Sequence, residues 1–202
     1  MNEVKKKAWL VLADGRAFAG HPLGAPGETL GEVVFNTSLM GYQEIISDPS
    51  YHGQIVTMTY PLIGNYGFND EDHEAQCDYL AGFIVREGCA WPSNWRSRDD
   101  LDGYLKKRGI VGIAGIDTRA LTKHIRDVGA QTGIISTVDH NRASLTRKAA
   151  EYPTLDGRDL VRNVTCEKSY AWKEGVWTRE GGYPNPAAKK ANFTVVAFDY
   201  GI

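Results

Sequence analysis

The sequence predicts an α/β protein, a mixed β-sheet with covering helices, followed by a linker and the first strand of a second domain. Three observations carry this. Residues 8 to 85 hold short apolar runs broken by turn residues, which is the pattern of strands. Residues 97 to 152 alternate helical apolar spacing with further strand-like runs, so helices are set against a sheet. After a stretch rich in Gly, Pro, Lys and Asn the chain reaches "FTVVAFDYGI", a continuous apolar run suited to a strand buried on both faces.

Taken in order, "AWLVLADGRAFAG" places Asp14-Gly15 between two apolar runs, the signal for a β-hairpin. "GEVVFNT", "QIVTMTY" and "YLAGFIV" read as further strands, and "LMGYQEII" as one short helical turn between the first two. "SRDDLDGYLKKRG" reads as a helix with Ser97 as N-cap, apolar Leu101, Tyr104 and Leu105, and Gly109 as the left-handed residue past its end. "IVGIAGI" is a strand. "DTRALTKHIRDVG" is a helix started by Asp117 or Thr118, ended by Gly129, with Ala120, Leu121, His124, Ile125 and Val128 on one face. "TGIISTV" and "RASLTRKAAEY" add a strand and a helix. Beyond Pro153, "YAWKEGVWT" reads as a short hairpin and "REGGYPNPAAKKAN" as an interdomain linker. The expected domains are 1–152, a hairpin and linker over 153–192, and the opening strand over 193–202.

Bulk properties exclude several classes of function. The chain has 202 residues, 42% hydrophobic and 24% charged, with a net charge of -2. That gives no basic footprint for nucleic acid and no polybasic patch for a membrane surface. The N-terminal apolar run is too short for a secretory core or a membrane span, so a cytoplasmic location is expected. Cys77, Cys89 and Cys166 are odd in number and lack paired spacing, so each is read as a small buried or half-buried hydrophobe rather than a disulfide half or zinc ligand. His21, His52, His73, His124 and His140 are dispersed, and His124 is expected to be packed or hydrogen bonded. "NDEDHE" lacks the glycine and terminal glutamate of a calcium loop and reads as a solvated acidic loop. No metal site is expected.

The segment "TSLMGYQEIISDPSYHGQ", residues 37 to 54, concentrates the chemistry. Asp48, Ser50 and His52 are the residue types of an acyl-transfer triad, but a triad assembles through space from separate elements, and the strained Gly-x-Ser-x-Gly turn is missing. A tight turn accounts for Asp-Pro, with Asp48 bonding backbone and Pro49 fixing φ, and leaves Ser50 free.

"LADGRAFAG", "GEVVFNTSLMGYQEIISDPSYHGQIVTMTYPLIGNYG", "GIAGIDTRALTKHIRDVGAQTGII" and "VVAFDYGI" together resemble the small subunit of glutamine-dependent carbamoyl phosphate synthetase. The resemblance spans nearly the whole chain. It implies an N-terminal domain followed by a class I glutamine amidotransferase domain with a Cys-His-Glu triad, which passes ammonia through a tunnel to a large subunit. The large subunit uses ATP, with Mg, and bicarbonate to make carbamoyl phosphate for arginine and pyrimidine synthesis. No position here matches the triad, so the chain is expected to be the N-terminal domain, linker and first amidotransferase strand, inactive alone and without a cofactor of its own. By the same resemblance Ser50 hydrogen-bonds L-glutamine, and Ser38 and Leu39 lie on the ammonia path; their other reading is a strand end and a core residue. The competing function is a non-catalytic scaffold or interaction domain.

Overall fold

The computed structural model describes residues 7–75, 77–184 and 193–201, which fall into two compact units, Met1–Arg158 and Asp159–Ile202. In the first unit β1 (Ala8–Leu12) and β2 (Ala17–Gly24) form the hairpin predicted at Asp14-Gly15, with Trp9 opposite Ala19. The other strands are β3 (Glu28–Asn36), β4 (Gln54–Met58), β5 (Leu62–Ile63), β6 (Gly82–Val85), β7 (Glu87–Gly88), β8 (Val111–Ala114) and β9 (Gln131–Ser136). Seven of them close into a barrel in the order β1-β2-β8-β6-β4-β3-β9, with β9 pairing back onto β1, while β5 and β7 form a separate parallel pair. The sheet is mixed, as predicted. β3, β4, β6 and β8 run parallel to one another, and the pairings that involve β1, β2 or β9 are antiparallel. The C-terminal ends of the four parallel strands therefore share one rim.

Alternation along the strands sorts side chains between two sides of the wall. Leu10, Leu12, Val33, Ile55, Ile84, Ile113 and Ile135, drawn from six strands, fill one cluster with Leu121 and Ile125 of α3 (Thr118–Val128), and this is the barrel interior. Their neighbours point outward. Val56, Met58, Phe83 and Val85 pack under α1 (Tyr42–Ser47) and α2 (Leu101–Lys107), and Val11 and Ile134 pack under α4 (Arg142–Glu151). β4 and β6 are thus buried on both faces, which is why they read as unbroken apolar runs.

Several expectations need correction. Closure of the mixed sheet into a barrel lies beyond the expectation and follows from β9 bonding to both β1 and β3. α2 is capped by Asp100, whose Oδ1 accepts the Gly103 N–H at 2.7 Å; the Ser97 hydroxyl instead donates to the Asp99 carbonyl in the preceding turn. On α3 Asp117 is the cap and Leu121 and Ile125 are buried, but Val128 in the last turn is exposed. Cys77 and Cys166 are exposed and only Cys89 is half-buried, so the small-hydrophobe reading holds for Cys89 alone; among the described residues the cysteines are free.

The second unit contains α5 (Val161–Val164) and little other regular structure. The expected hairpin lies later in the chain. Thr178 and Gly182 exchange backbone hydrogen bonds at 2.7 and 2.8 Å across the turn at 179–181, and the Gly175 N–H donates to the Pro184 carbonyl at 2.8 Å on the same ribbon. Residues 185–192 of the expected linker lie outside the described residues, as does Ile202 of the expected strand. Residues 193–201 form no strand: Phe193, Val195, Val196 and Phe198 are exposed, and no described residue pairs with them in a ladder, without which an apolar run has no reason to extend as a buried strand.

Candidate functional site

The site residues singled out in the sequence lie on one crossover. β3 and β4 are parallel neighbours, so the chain must return to the same end of the barrel between them, and it does so through α1. Asn36, the last residue of β3, organises the way out and the way back. Its Oδ1 accepts the Ser38 N–H at 2.7 Å, and its Nδ2 donates to the Tyr51 hydroxyl at 2.9 Å. Thr37 to Met40 are exposed between these ties, Leu39 to 68% and Met40 to 69%. Leu39 is therefore not a core residue, and Ser38 lies beyond the strand end.

α1 has six residues, too few to hold a helix by itself in water. Its N-cap is Gly41, at φ 83, which offers no capping side chain, so the orphan N–H groups of the first turn are satisfied from elsewhere. The Tyr66 hydroxyl accepts both, from Gly41 at 2.5 Å and Tyr42 at 3.2 Å, and the Tyr66 ring stacks on Tyr42 at 4.2 Å. The Tyr42 hydroxyl in turn donates to the Gly67 carbonyl at 2.9 Å. The Gln43 amide meets the Asn69 backbone in both directions, donating to its carbonyl at 2.6 Å and accepting its N–H at 3.0 Å. Ser47 accepts the Glu74 N–H at 2.9 Å. The face of α1 that carries Tyr42, Gln43 and Ser47 is buried against residues 66–74.

After α1 the Asp48 carboxylate accepts the Ser50 N–H at 2.8 Å and caps a 3-10 turn, Pro49–Tyr51, with Pro49 in its first position. This is the tight turn read from the sequence. It leaves Ser50 exposed beside a buried Pro49. Asp48 uses its carboxylate on backbone and His52 turns to the 79–80 segment, forming a bridge with Leu80 and an edge contact with Tyr79 at 6.0 Å. The triad is thus excluded by partners as well as by spacing.

The surroundings of the crossover are strongly acidic, and Arg96 offsets part of that charge. Arg96 binds both Asp72 oxygens, at 2.7 and 3.1 Å, and Glu71 at 3.0 Å, which gives "NDEDHE" a structural partner. Burial pushes the Glu44 carboxyl above the usual carboxylate range, with Asp72 and Glu74 adding to the shift, and its Oε2 has no hydrogen-bond partner among the described residues. Burial likewise raises the Tyr42 and Tyr66 phenols, so both act as neutral hydrogen-bonding groups. Away from the crossover, His124 Nδ1 accepts from Arg16 at 3.1 Å, which puts the ring proton on Nε2, and Nε2–H donates to Asp14 Oδ2 at 2.6 Å, the hydrogen-bonded role expected of it. No group of three or more His, Cys, Asp or Glu among the described residues is arranged to hold a metal ion, and no described helix is long and apolar enough to cross a membrane.

Sequence reasoning did not single out Tyr66, Gln43 or Ser47. One signal pointed there: a helix that opens on glycine, with no Ser, Thr, Asp or Asn cap, must borrow its partners from a distant segment.

A mixed barrel whose β3–β4 crossover carries Ser50 is the class of domain at hand, and comparison with known sequences gives its family. Residues 10–135 match the family described as carbamoyl-phosphate synthase small chain, CPSase domain. The chain is 60% identical over 196 residues to the carbamoyl phosphate synthase small chain of Syntrophotalea carbinolica, covering 97% of this chain and 52% of that one. It is 50% identical over 200 residues to the same protein of Escherichia coli, covering 97% and 52%, and 48% identical over 195 residues to that of Aquifex aeolicus, covering 96% and 53%. The chain belongs to the carbamoyl-phosphate synthase small chain family, and it spans about half the length of the curated relatives it matches.

Proposed function

We propose that the chain is the N-terminal part of the glutamine amidotransferase subunit of a carbamoyl phosphate synthetase, a ligase that serves arginine and pyrimidine synthesis in the cytoplasm. The observation that carries this is the family match over residues 10–135. In this reading Ser50 lends its hydroxyl to L-glutamine, a role that suits an exposed group able to donate and accept at once. Ser38 and Leu39 border the route by which ammonia leaves. The Cys-His-Glu triad belongs to an amidotransferase domain these residues do not supply, and ATP with Mg is used by the large subunit, not by this chain.

The contact with the large subunit is supported by a set of exposed apolar side chains. Leu39, Met40, Tyr60, Trp91 and Trp95 are exposed on connections that are tied together: Gly41 to Tyr66, Ser93 to Asn65 at 2.9 Å, and Glu87 to Pro61 at 3.0 Å. Exposed aromatic and apolar groups on neighbouring loops favour a protein partner. The test is co-purification of this chain with a carbamoyl phosphate synthetase large subunit, together with assays of the full-length small chain in that complex. Glutamine-dependent synthesis by the full complex, and none by this chain with large subunit, is expected. A chain that binds no large subunit, or a full-length form that supports no glutamine-dependent synthesis, overturns the reading in favour of an interaction domain without catalysis.

A further inference from the structure

The geometry points to Gln43 as a positioning residue for glutamine binding: by clamping the Asn69 peptide it sets where α1 stands, and with it Ser50. This rests on the reading above that Ser50 contacts glutamine. Gln43 is 1% exposed, and its amide makes the two-way pairing that one backbone unit makes with another, so it fixes the direction and the distance of α1 against the 66–74 segment together. The anchor is itself anchored. The Asn69 side chain donates to Asp72 Oδ2 at 2.7 Å and accepts the Glu71 N–H at 2.8 Å, and Arg96 grips the same loop. From Gln43 the helix continues to Ser47, then directly to Asp48, whose carboxylate orders Ser50. A six-residue helix has little stability of its own, so it keeps this line only through ties such as the Gln43 clamp, the Tyr66 cap and the Ser47–Glu74 bond.

The clamp makes a chemical prediction that bulk packing does not. Gln43→Glu keeps shape and acceptor but replaces the donor with a carboxylate facing the Asn69 carbonyl, and protonation of the introduced carboxyl restores a donor. In the full-length small chain assembled with its large subunit, Gln43→Glu is expected to raise the glutamine KM roughly tenfold, the loss of one charge-opposed buried hydrogen bond, with kcat changed much less. The KM ratio to wild type should shrink as pH falls, and ammonia-dependent synthesis should stay within about twofold of wild type. Gln43→Met, which fills the site and lacks both bonds, should raise KM without the pH dependence, and serves if the charged variant does not assemble. Combining Gln43→Glu with Ser50→Ala should raise KM no further than Ser50→Ala alone, because both act through one contact. If Ser50→Ala raises KM but Gln43→Glu and Gln43→Met do not, or if the double variant is fully additive, the positioning role fails while the Ser50 reading stands. If Ser50→Ala leaves KM unchanged, the Ser50 reading fails and this inference falls with it.

Discussion

Closure of the barrel can be tested at one glycine. Gly133 is the β9 residue paired on one side with Leu12 and on the other with Gly31, so it sits where the sheet closes on itself. A Cβ there would lie 2.6 Å from Val33 Cγ2, 3.2 Å from Leu12 Cδ2 and 3.4 Å from the Val11 carbonyl. Its φ is not in the left-handed region, so Ala is allowed by the backbone and would gain roughly 0.4–1 kcal/mol by restricting the unfolded chain. Against that stands overpacking of a buried wall, about 1–3 kcal/mol, and Val33 cannot swing away because its β-branched χ1 is stiff and the side chain is fully buried. The net expectation for Gly133→Ala is a loss of about 1 kcal/mol, read as a lower urea midpoint with unchanged slope. Val33→Ala should cost less in the Gly133→Ala background than in wild type, since it removes the methyl group that clashes. An Ala variant as stable as wild type, or additive costs for the pair, would refute the closed arrangement of β1, β9 and β3.

Three further outcomes are expected. Ser50→Ala in the full-length subunit should leave thermal stability within about 0.5 kcal/mol, because its structural bond is made by its backbone, and should raise the glutamine KM by about ten- to a hundredfold while sparing ammonia-dependent synthesis; steady-state kinetics with each nitrogen source decides. His73 is held below the ordinary histidine range by burial and by Arg108, against Asp78, Asp70 and Asp72, so the unfolded state takes up the proton first. Stability should be full above about pH 6.5 and fall as the pH drops below it, and His73→Asn should flatten that limb in urea titrations between pH 7.5 and 5.5. Deleting residues 193–202 should lower self-association in light scattering with no change in the unfolding of the first unit, since Phe193, Val195, Val196 and Phe198 are exposed; loss of folding on deletion would show that the segment belongs to that unit.

What could be read from the sequence was what neighbouring residues decide. The β1–β2 turn is made by Asp14-Gly15, α3 begins where Asp117 accepts the Ala120 N–H at 2.9 Å, and α2 gives way to a left-handed Gly109, all within a few residues of one another. Barrel closure depends instead on Leu10 meeting Ile135 and Leu30 meeting Ile134, pairs that no local pattern specifies. The strand order places β8 between β2 and β6, which the alternation of strands and helices also leaves open. Cap choice failed at α2 for a related reason: Ser97 and Asp100 are both good caps, and what decides between them is Phe68, whose backbone pairs with Arg98 and Asp99 and holds that stretch extended up to Asp100.

The site divides along the same line. The turn that frees Ser50 is local and was legible in Asp-Pro-Ser, whereas the placement of that turn is not, because α1 is too short to carry its own geometry. Tyr66, Gln43 and Ser47 tie it to a segment about two dozen residues away, and each tie gives a partly buried backbone group its partner. A binding group on such a crossover is only as well placed as its distant supports. Substitutions in the acidic loop should therefore reach Ser50 without touching it: Arg96→Ala frees Asp72 and Glu71 to repel each other and loosens Asn69, and the expected readout is a raised glutamine KM with ammonia-dependent synthesis preserved. An Arg96→Ala subunit with wild-type glutamine KM and a lowered melting temperature would show that the loop supports the fold alone and that α1 takes its position from the barrel wall.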